Sequence, residues 1–269
     1  MKKIKLLAIL NFFFYLLAFS ISSLSQTGVF NNKTNGDISA KYETLFTPAG
    51  ITFSIWGLIY LALFGFVIYH LISAFKADYD DEPNQVLLKI NYLFIINNIA
   101  LALWVFAFSY EYLGLSLILI VIQLVTLLFI AINLKLYSPH KSVASRLFTQ
   151  FPLSIYFAWL CIATIANFSV YLVSINWTSS IDAGTWVEIM IWTAVALAVF
   201  MDIKKKNPYF GLVFIWALYG IQLKRATIDS VLFREIILNV WVAIAIIGLT
   251  VLIRFIINFI NKSFTETDK

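Results

Sequence analysis

Apolar runs alternate with short polar breaks along the whole chain, at 4–24, 50–73, 86–108, 113–137, 147–174, 185–201, 209–223 and 232–260. Most match or exceed the about 20 residues that an α-helix needs to cross a bilayer. Backbone groups in hydrocarbon must be satisfied within their own segment, so each run predicts a helix. The predicted fold is an all-α polytopic membrane protein with about eight transmembrane helices. The run 209–223 is short for a full crossing. It suits a tilted stub, a re-entrant segment, or a helix extended through Lys224 and Arg225 with both side chains snorkelling.

Composition sharpens this picture. Of 269 residues, 61% are hydrophobic and only 12% charged, against about 25% charged in ordinary soluble domains. That excludes a soluble enzyme, a disordered tail protein and a disulfide scaffold. The net charge of +5 would suggest nucleic acid in a soluble protein. Here the basic residues sit at span ends, as cytoplasmic loops require, and no nucleic-acid partner is expected. With the N-terminus inside, the cytoplasmic ends hold Lys2, Lys3, Lys5, Lys76, Lys135, Lys141, Arg146, Lys204, Lys205, Lys206, Lys262 and Lys269. The outer segments hold Lys33, Lys41, Lys224, Arg225 and Arg234. The asymmetry predicts both termini inside and eight crossings of a plasma membrane. The Ile-, Asn- and Lys-rich usage points to a bacterial inner membrane. The basic leader before the first run also fits a signal peptide. Its apolar stretch exceeds the about 7–15 residues of a signal core and no small-x-small site follows, so a retained helix is expected.

The segment 25–49 is the longest polar stretch. Its turn-rich piece from Phe30 to Asp37 marks an exposed loop. It becomes amphipathic through Tyr42, Leu45 and Phe46 and reaches Pro48, suited to the first turn of the second helix. The single cysteine, Cys161, lies in an apolar run and reads as a small buried hydrophobe.

Three spans combine aromatic and polar residues on one helical face. Phe53, Trp56 and Tyr60 recur at i, i+3 and i+7 in the second, and Asn97, Trp104 and Phe108 at i, i+7 and i+11 in the third. In the fifth, Tyr156, Trp159, Ala163 and Asn167 follow at i, i+3, i+7 and i+11. Amides and hydroxyls in a membrane point toward protein or a cavity. The faces therefore either pack helices with Asn as interhelical glue, or converge on a pocket that stacks a flat ligand.

Two stretches carry a family resemblance. One is Phe46-Thr47-Pro48-Ala49-Gly50-Ile51-Thr52-Phe53-Ser54-Ile55-Trp56-Gly57-Leu58-Ile59-Tyr60; the other is Tyr156-Phe157-Ala158-Trp159-Leu160-Cys161-Ile162-Ala163-Thr164-Ile165-Ala166-Asn167. Together they resemble the second and fifth helices of the TspO/MBR family, the tryptophan-rich sensory proteins related to the mitochondrial translocator (peripheral-type benzodiazepine receptor) proteins. Trp104 and Phe108 resemble the end of that family's third helix more weakly. The resemblance covers residues 1–175, the family's five-helix unit. Residues 176–269, a further three-helix membrane unit, resemble the extension of longer bacterial relatives. Departures fall in the pocket region: a single Pro48 where the family has a double proline, Ile51 where a second Trp is common, and Leu101 where an Asn precedes the third-helix Trp.

The resemblance implies a membrane binding or sensor protein for a flat hydrophobic small molecule, a porphyrin or other tetrapyrrole. Its site would comprise Pro48, Phe53, Trp56, Tyr60, Trp104, Phe108, Tyr156, Trp159 and Asn167, between spans one, two, three and five under the 25–49 loop. Rival readings are a small-solute transporter and a porphyrin-degrading membrane enzyme. No catalytic residue, metal site or bound cofactor is nominated, the tetrapyrrole standing as ligand only. Glu188 and Arg254 are intramembrane charges, and His70 and His140 lie too far apart in the chain to suggest a metal pair. Membrane lipid is the other expected partner. Small residues at Ala163, Ala166, Gly220 and Gly248 permit close packing within one chain or between two, so a homodimer stays open.

Overall fold

The computed structural model describes residues 1–178 and 180–267, with side chains through residue 260. Lys262 and Lys269, counted above for orientation, lie outside the described side chains. The described chain is helical throughout, with no strand. Helix α1 (Lys2–Ser25) is followed by a short α2 (Asn35–Lys41) within the polar segment. A 3₁₀ turn, Gly50–Ser54, leads into α3 (Ile55–Lys76). Then come α4 (Glu82–Ile90), α5 (Leu93–Ser109), α6 (Leu113–Leu134) and the single turn α7 (Val143–Ser145). The chain ends with α8 (Phe151–Ser174), α9 (Ala183–Ile203), α10 (Pro208–Asp229) and α11 (Arg234–Thr267).

Six of these segments are long and apolar enough to cross a membrane, and the α4–α5 pair makes seven if counted as one span. The protein is thus a multi-pass α-helical membrane protein. The predicted third span, 86–108, is broken: α4 and α5 meet at 58°. Asn91 ends α4 with φ 45° and ψ −126°, a positive-φ backbone outside the left-handed helical well that turns the chain out of the helix. Helix α10 has 22 residues but falls short on apolar composition, since it carries Gln222, Lys224, Arg225 and Asp229. It packs against α8, α9 and α11; Arg225 is buried there, Gln222 and Lys224 are half-buried, and Asp229 is exposed at the helix end. Asn207 donates to the Ser154 hydroxyl at one end (2.8 Å) and Arg225 pairs with Glu43 at the other (2.6 Å).

Pro48 stands just ahead of the 3₁₀ turn rather than in the first turn of α3. A second proline, Pro152, opens α8 directly after a five-residue π turn, Arg146–Gln150. A proline ring crowds the carbonyl four residues back, and a wider turn relieves that clash. Helix α8 is the centre of the bundle. In its span 72% of the most apolar window is buried, against 28–39% for the other candidate spans. One apolar cluster runs from Ile4 to Val251 and includes residues of α8, α9, α10 and α11, so the last three helices share a core with the first five.

The alternating helices define two ends. One, the loop end, gathers 25–49, 110–112 and the α10 C-terminus, as Asn31 donating to the Ser109 carbonyl and Arg225 pairing with Glu43 show. The opposite, basic end gathers 77–81, 135–142 and 204–207, where Lys141 pairs with Glu82 at 2.8 Å.

Candidate functional site, an aromatic cavity under a clamped lid

A cavity of about 530 Å³ opens in the loop-end half of the bundle, within the size range of small-molecule sites. Helix α8 contributes Trp159, Ala163 and Asn167, the 3₁₀ turn Phe53, α3 Trp56 and Tyr60, and α5 Trp104 and Phe108. Pro48 lines it from the segment before the turn. Eight of the nine residues nominated from the sequence therefore meet at one cavity. Tyr156 does not reach its wall. It lies behind Trp56, ring centroids 6.2 Å apart, and its hydroxyl donates to Asn97 Oδ1 at 2.8 Å.

The rings are arranged as pairs. Trp56 stacks on Tyr60 with centroids 5.4 Å apart, and Trp104 stacks on Phe108 at 5.0 Å. Trp159 stands edge-on to both Phe53 and Trp56, at 6.3 and 6.1 Å. Such edge-to-face contacts set the positive ring rim against a neighbour's negative face and fix each ring's tilt. Most polar groups here already have partners. The Trp104 indole donates to Asn167 Oδ1 at 2.8 Å, and the Asn167 amide donates to Ser116 Oγ at 3.1 Å. Asn97 donates to the Gln123 carbonyl and to Thr126 Oγ1, both at 2.9 Å. The Trp159 indole N–H and the Ser22 hydroxyl are the buried exceptions: both lie in the wall without a hydrogen-bond partner. A buried polar group left unpaired costs about 1–3 kcal/mol, a cost the packing of the wall has to offset.

No residue lining the cavity is charged. Its lid is α2 with its flanks. Thr34 caps α2 through a reciprocal capping box with Asp37, which predefines a helix of only seven residues. Glu111, between α5 and α6, anchors this lid: Lys33, Lys41 and the Tyr42 hydroxyl all donate to its carboxylate. Three donors on one carboxylate hold its pKa down at about 2.

The sequence reading expected span one and the 25–49 loop to close the site, but named no residue of the first and only Pro48 of the second. It missed the walls from α6 and α10. Phe19, Ser22 and Ser23 of α1 also line the cavity. Gln123 and Ile120 come from α6, Ala217 and Ile221 from α10, and Thr34, Asn35 and Ser39 from the lid. Gln123, a lone amide in an apolar run, was a legible signal; Ala217 and Ile221 carried none. Glu111 is the only carboxylate between Glu82 and Asp182, which could have drawn attention to Lys33 and Lys41 opposite.

The other candidates have structural partners. His70 donates from Nδ1 to the Pro83 carbonyl (3.1 Å), leaving Nε2 to accept from Thr149 Oγ1 (3.0 Å) when the ring is neutral. Glu188 accepts from Asn239 at 2.9 Å, and Arg254 donates to the carbonyls of Asp202 and Ile203, capping α9. His140 lies in the loop at the basic end. Among the described residues, no group of three His, Cys, Asp or Glu could hold a metal. Cys161 is free and buried. Gly220 is used within the chain, as its close approach to Thr52 shows, whereas nothing lies within 4 Å of a Cβ placed on Gly248.

Fold and site together define a multi-pass helical membrane protein with an uncharged aromatic cavity between its helices. The model of the family described as TSPO-like protein matches residues 8–253. The chain belongs to this family, and the match runs through the last three helices as well as the first five. No curated protein and no solved structure matches the chain.

Proposed function

We propose that this protein is a membrane binding or sensor protein that holds a flat hydrophobic ligand of the porphyrin or tetrapyrrole type in the aromatic cavity. The observation that carries the reading is a cavity of about 530 Å³ between the helices whose walls are aromatic and uncharged. The stacked pairs Trp56–Tyr60 and Trp104–Phe108 supply ring faces for a planar molecule. Acidic substituents would project toward the polar lid residues, because the interior offers them no cation. In this reading the protein lies in a bacterial inner membrane, with the basic end and both termini cytoplasmic and the lid outside.

The test is titration of detergent-purified protein with protoporphyrin, followed by quenching of tryptophan fluorescence, beside Trp159→Phe. The variant loses part of the ring area of the wall, which should weaken binding about tenfold, the equivalent of about 1.4 kcal/mol, with folded yield unchanged. Linear, unsaturated quenching in both proteins would mean partition into the micelle and would end the tetrapyrrole reading.

A further inference from the structure

The aromatic cavity has two unlike parts. Inward its wall is made of rings, Trp56, Tyr60 and Trp159. It reaches the surface where the end of α1, the lid and the start of α3 meet, and there the lining is polar: Ser23, Gln26, Asn35, Ser39 and Ser54. Ser23, Gln26 and Ser54 are exposed. The hydroxyls of Ser23, Ser39 and Ser54 have no hydrogen-bond partner among the described residues, and none of them is sealed off from solvent. Ser23 and Ser54 also belong to two of the candidate spans, so this mouth meets the bilayer as well as the lid.

The polar mouth carries no charge, and the charges around it cancel. Lys33 and Lys41, which flank the lid residues of the lining, both pair with Glu111, and Asp37 on the same helix balances the second of them. Arg225 and Lys224 share Glu43. Over the whole loop end, Lys33, Lys41, Lys224, Arg225 and Arg234 are outnumbered by Asp37, Glu43, Glu111, Asp182, Asp229 and Glu235. The protein's net charge of +5 therefore resides at the opposite end. A ligand edge at the mouth meets hydroxyls and amides in a field that does not favour anions. An ionised carboxylate there gives up hydration and gains no cation. An ester carbonyl, ketone or alcohol needs only a single neutral hydrogen bond, which a serine hydroxyl supplies as donor or acceptor.

We propose that the cavity selects ligands whose polar edge is uncharged, an ester, ketone or alcohol, over the corresponding free acids, with Ser23, Ser39 and Ser54 pairing with that edge. Such selection rests on the aromatic cavity being the binding site proposed above, whatever ring system it holds. A tetrapyrrole would then be taken as its ester or alcohol in preference to the dicarboxylic acid.

The experiment titrates the full chain in a non-ionic detergent at about pH 8, where carboxylic acids are ionised, and reads the saturable change in tryptophan fluorescence. The probes are two pairs: protoporphyrin and its dimethyl ester, and pyrenebutyrate and pyrenebutanol. Wild type should bind the neutral member of a pair at least about tenfold more tightly than the acid. Ser23→Lys, and separately Ser54→Lys on the other side of the mouth, should each move that ratio at least about tenfold toward the acid. Ser180→Lys adds the same charge at the loop end, at an exposed position outside the cavity lining, and should keep the wild-type ratio. All these proteins share one micelle, so a difference in ratio between them reports the cavity and not partition. Saturable binding of the acids as tight as that of their neutral partners would overturn the proposal and leave the tetrapyrrole reading standing. Discrimination within the pyrene pair, with no saturable binding of either porphyrin, would support the neutral edge and end the tetrapyrrole reading. A ratio moved as far by Ser180→Lys as by Ser23→Lys would assign the effect to overall charge and overturn the proposal. No saturable binding of any probe would overturn both.

Discussion

Helix α10 and the 3₁₀ turn meet at Gly220, and a single methyl group tests that contact. A Cβ on Gly220 would lie 1.9 Å from Thr52 Oγ1, 2.8 Å from its Cγ2 and 2.9 Å from its Cβ. Rotating the threonine can remove the first two clashes but not the third. The backbone has little freedom to retreat, because Ala49 N–H donates to the Gly220 carbonyl and the Trp216 indole to the Thr52 carbonyl, each at 2.9 Å. Overpacking of this kind costs about 1–3 kcal/mol, and losing one of the two hydrogen bonds adds about 1 kcal/mol. Gly220→Ala should therefore destabilise the protein by about 2–4 kcal/mol, on the order of 5–10 °C in melting temperature for a chain of this size. The only cysteine, Cys161, is 7% exposed, so a fluorogenic maleimide reports unfolding at the centre of α8. Thr52→Ala in the same chain removes the two shorter contacts and should recover more than half of the loss. Gly248→Ala is the contrast: its Cβ meets nothing within 4 Å, and alanine's helix propensity should leave stability equal or raised by up to about 1 kcal/mol. Since Gly50 and Phe53 of the turn line the cavity, Gly220→Ala should also weaken ligand binding. If Gly220→Ala melts within about 1 °C of wild type, and Thr52→Ala makes no difference to it, α10 does not pack on the turn as described and the argument fails.

Tyr156→Phe removes a hydroxyl that donates to Asn97 but does not face the cavity. It should cost about 1 kcal/mol in stability and leave ligand affinity within about twofold of wild type; a larger affinity loss at unchanged melting temperature would put Tyr156 at the ligand. Asn167→Ala strips the acceptor from the Trp104 indole, and the buried donor left behind should cost about 1–3 kcal/mol together with measurable affinity, read by melting and titration. For the lid, the sign of the pH effect follows from Glu111. Its pKa falls from 4.5 to about 2 on folding, so the clamp contributes fully above pH 4.5 and is lost as pH falls through about 2. Amide-exchange protection of 33–42 should hold from neutral pH down to that range and then decline, and Glu111→Gln should show low protection at every pH. Equal protection in the two proteins would mean that the lid is held by something else.

Much of this protein was legible in one dimension. A helix repeats every 3.6 residues and a bilayer demands long apolar runs, so span positions and the face shared by Trp159, Ala163 and Asn167 follow from local order alone. Pro48, Phe53, Trp56, Tyr60, Trp104 and Phe108 were nominated on periodicity together with the family resemblance, and they do line one cavity. What spacing does not contain is the rotation and depth at which one helix meets another, because those are decided by packing among residues far apart in the chain. That is why Tyr156, on the same predicted face as Trp159, lies behind the wall and spends its hydroxyl on Asn97, 59 positions away. It is also why Ala217 and Ile221 become cavity residues, through a bond joining Trp216 to Thr52 across 164 positions. The break at Asn91, the three donors gathered on Glu111 and the unpaired indole of Trp159 are of the same kind. Each is a hydrogen-bond account that closes, or stays open, only when the tertiary structure brings its partners within reach.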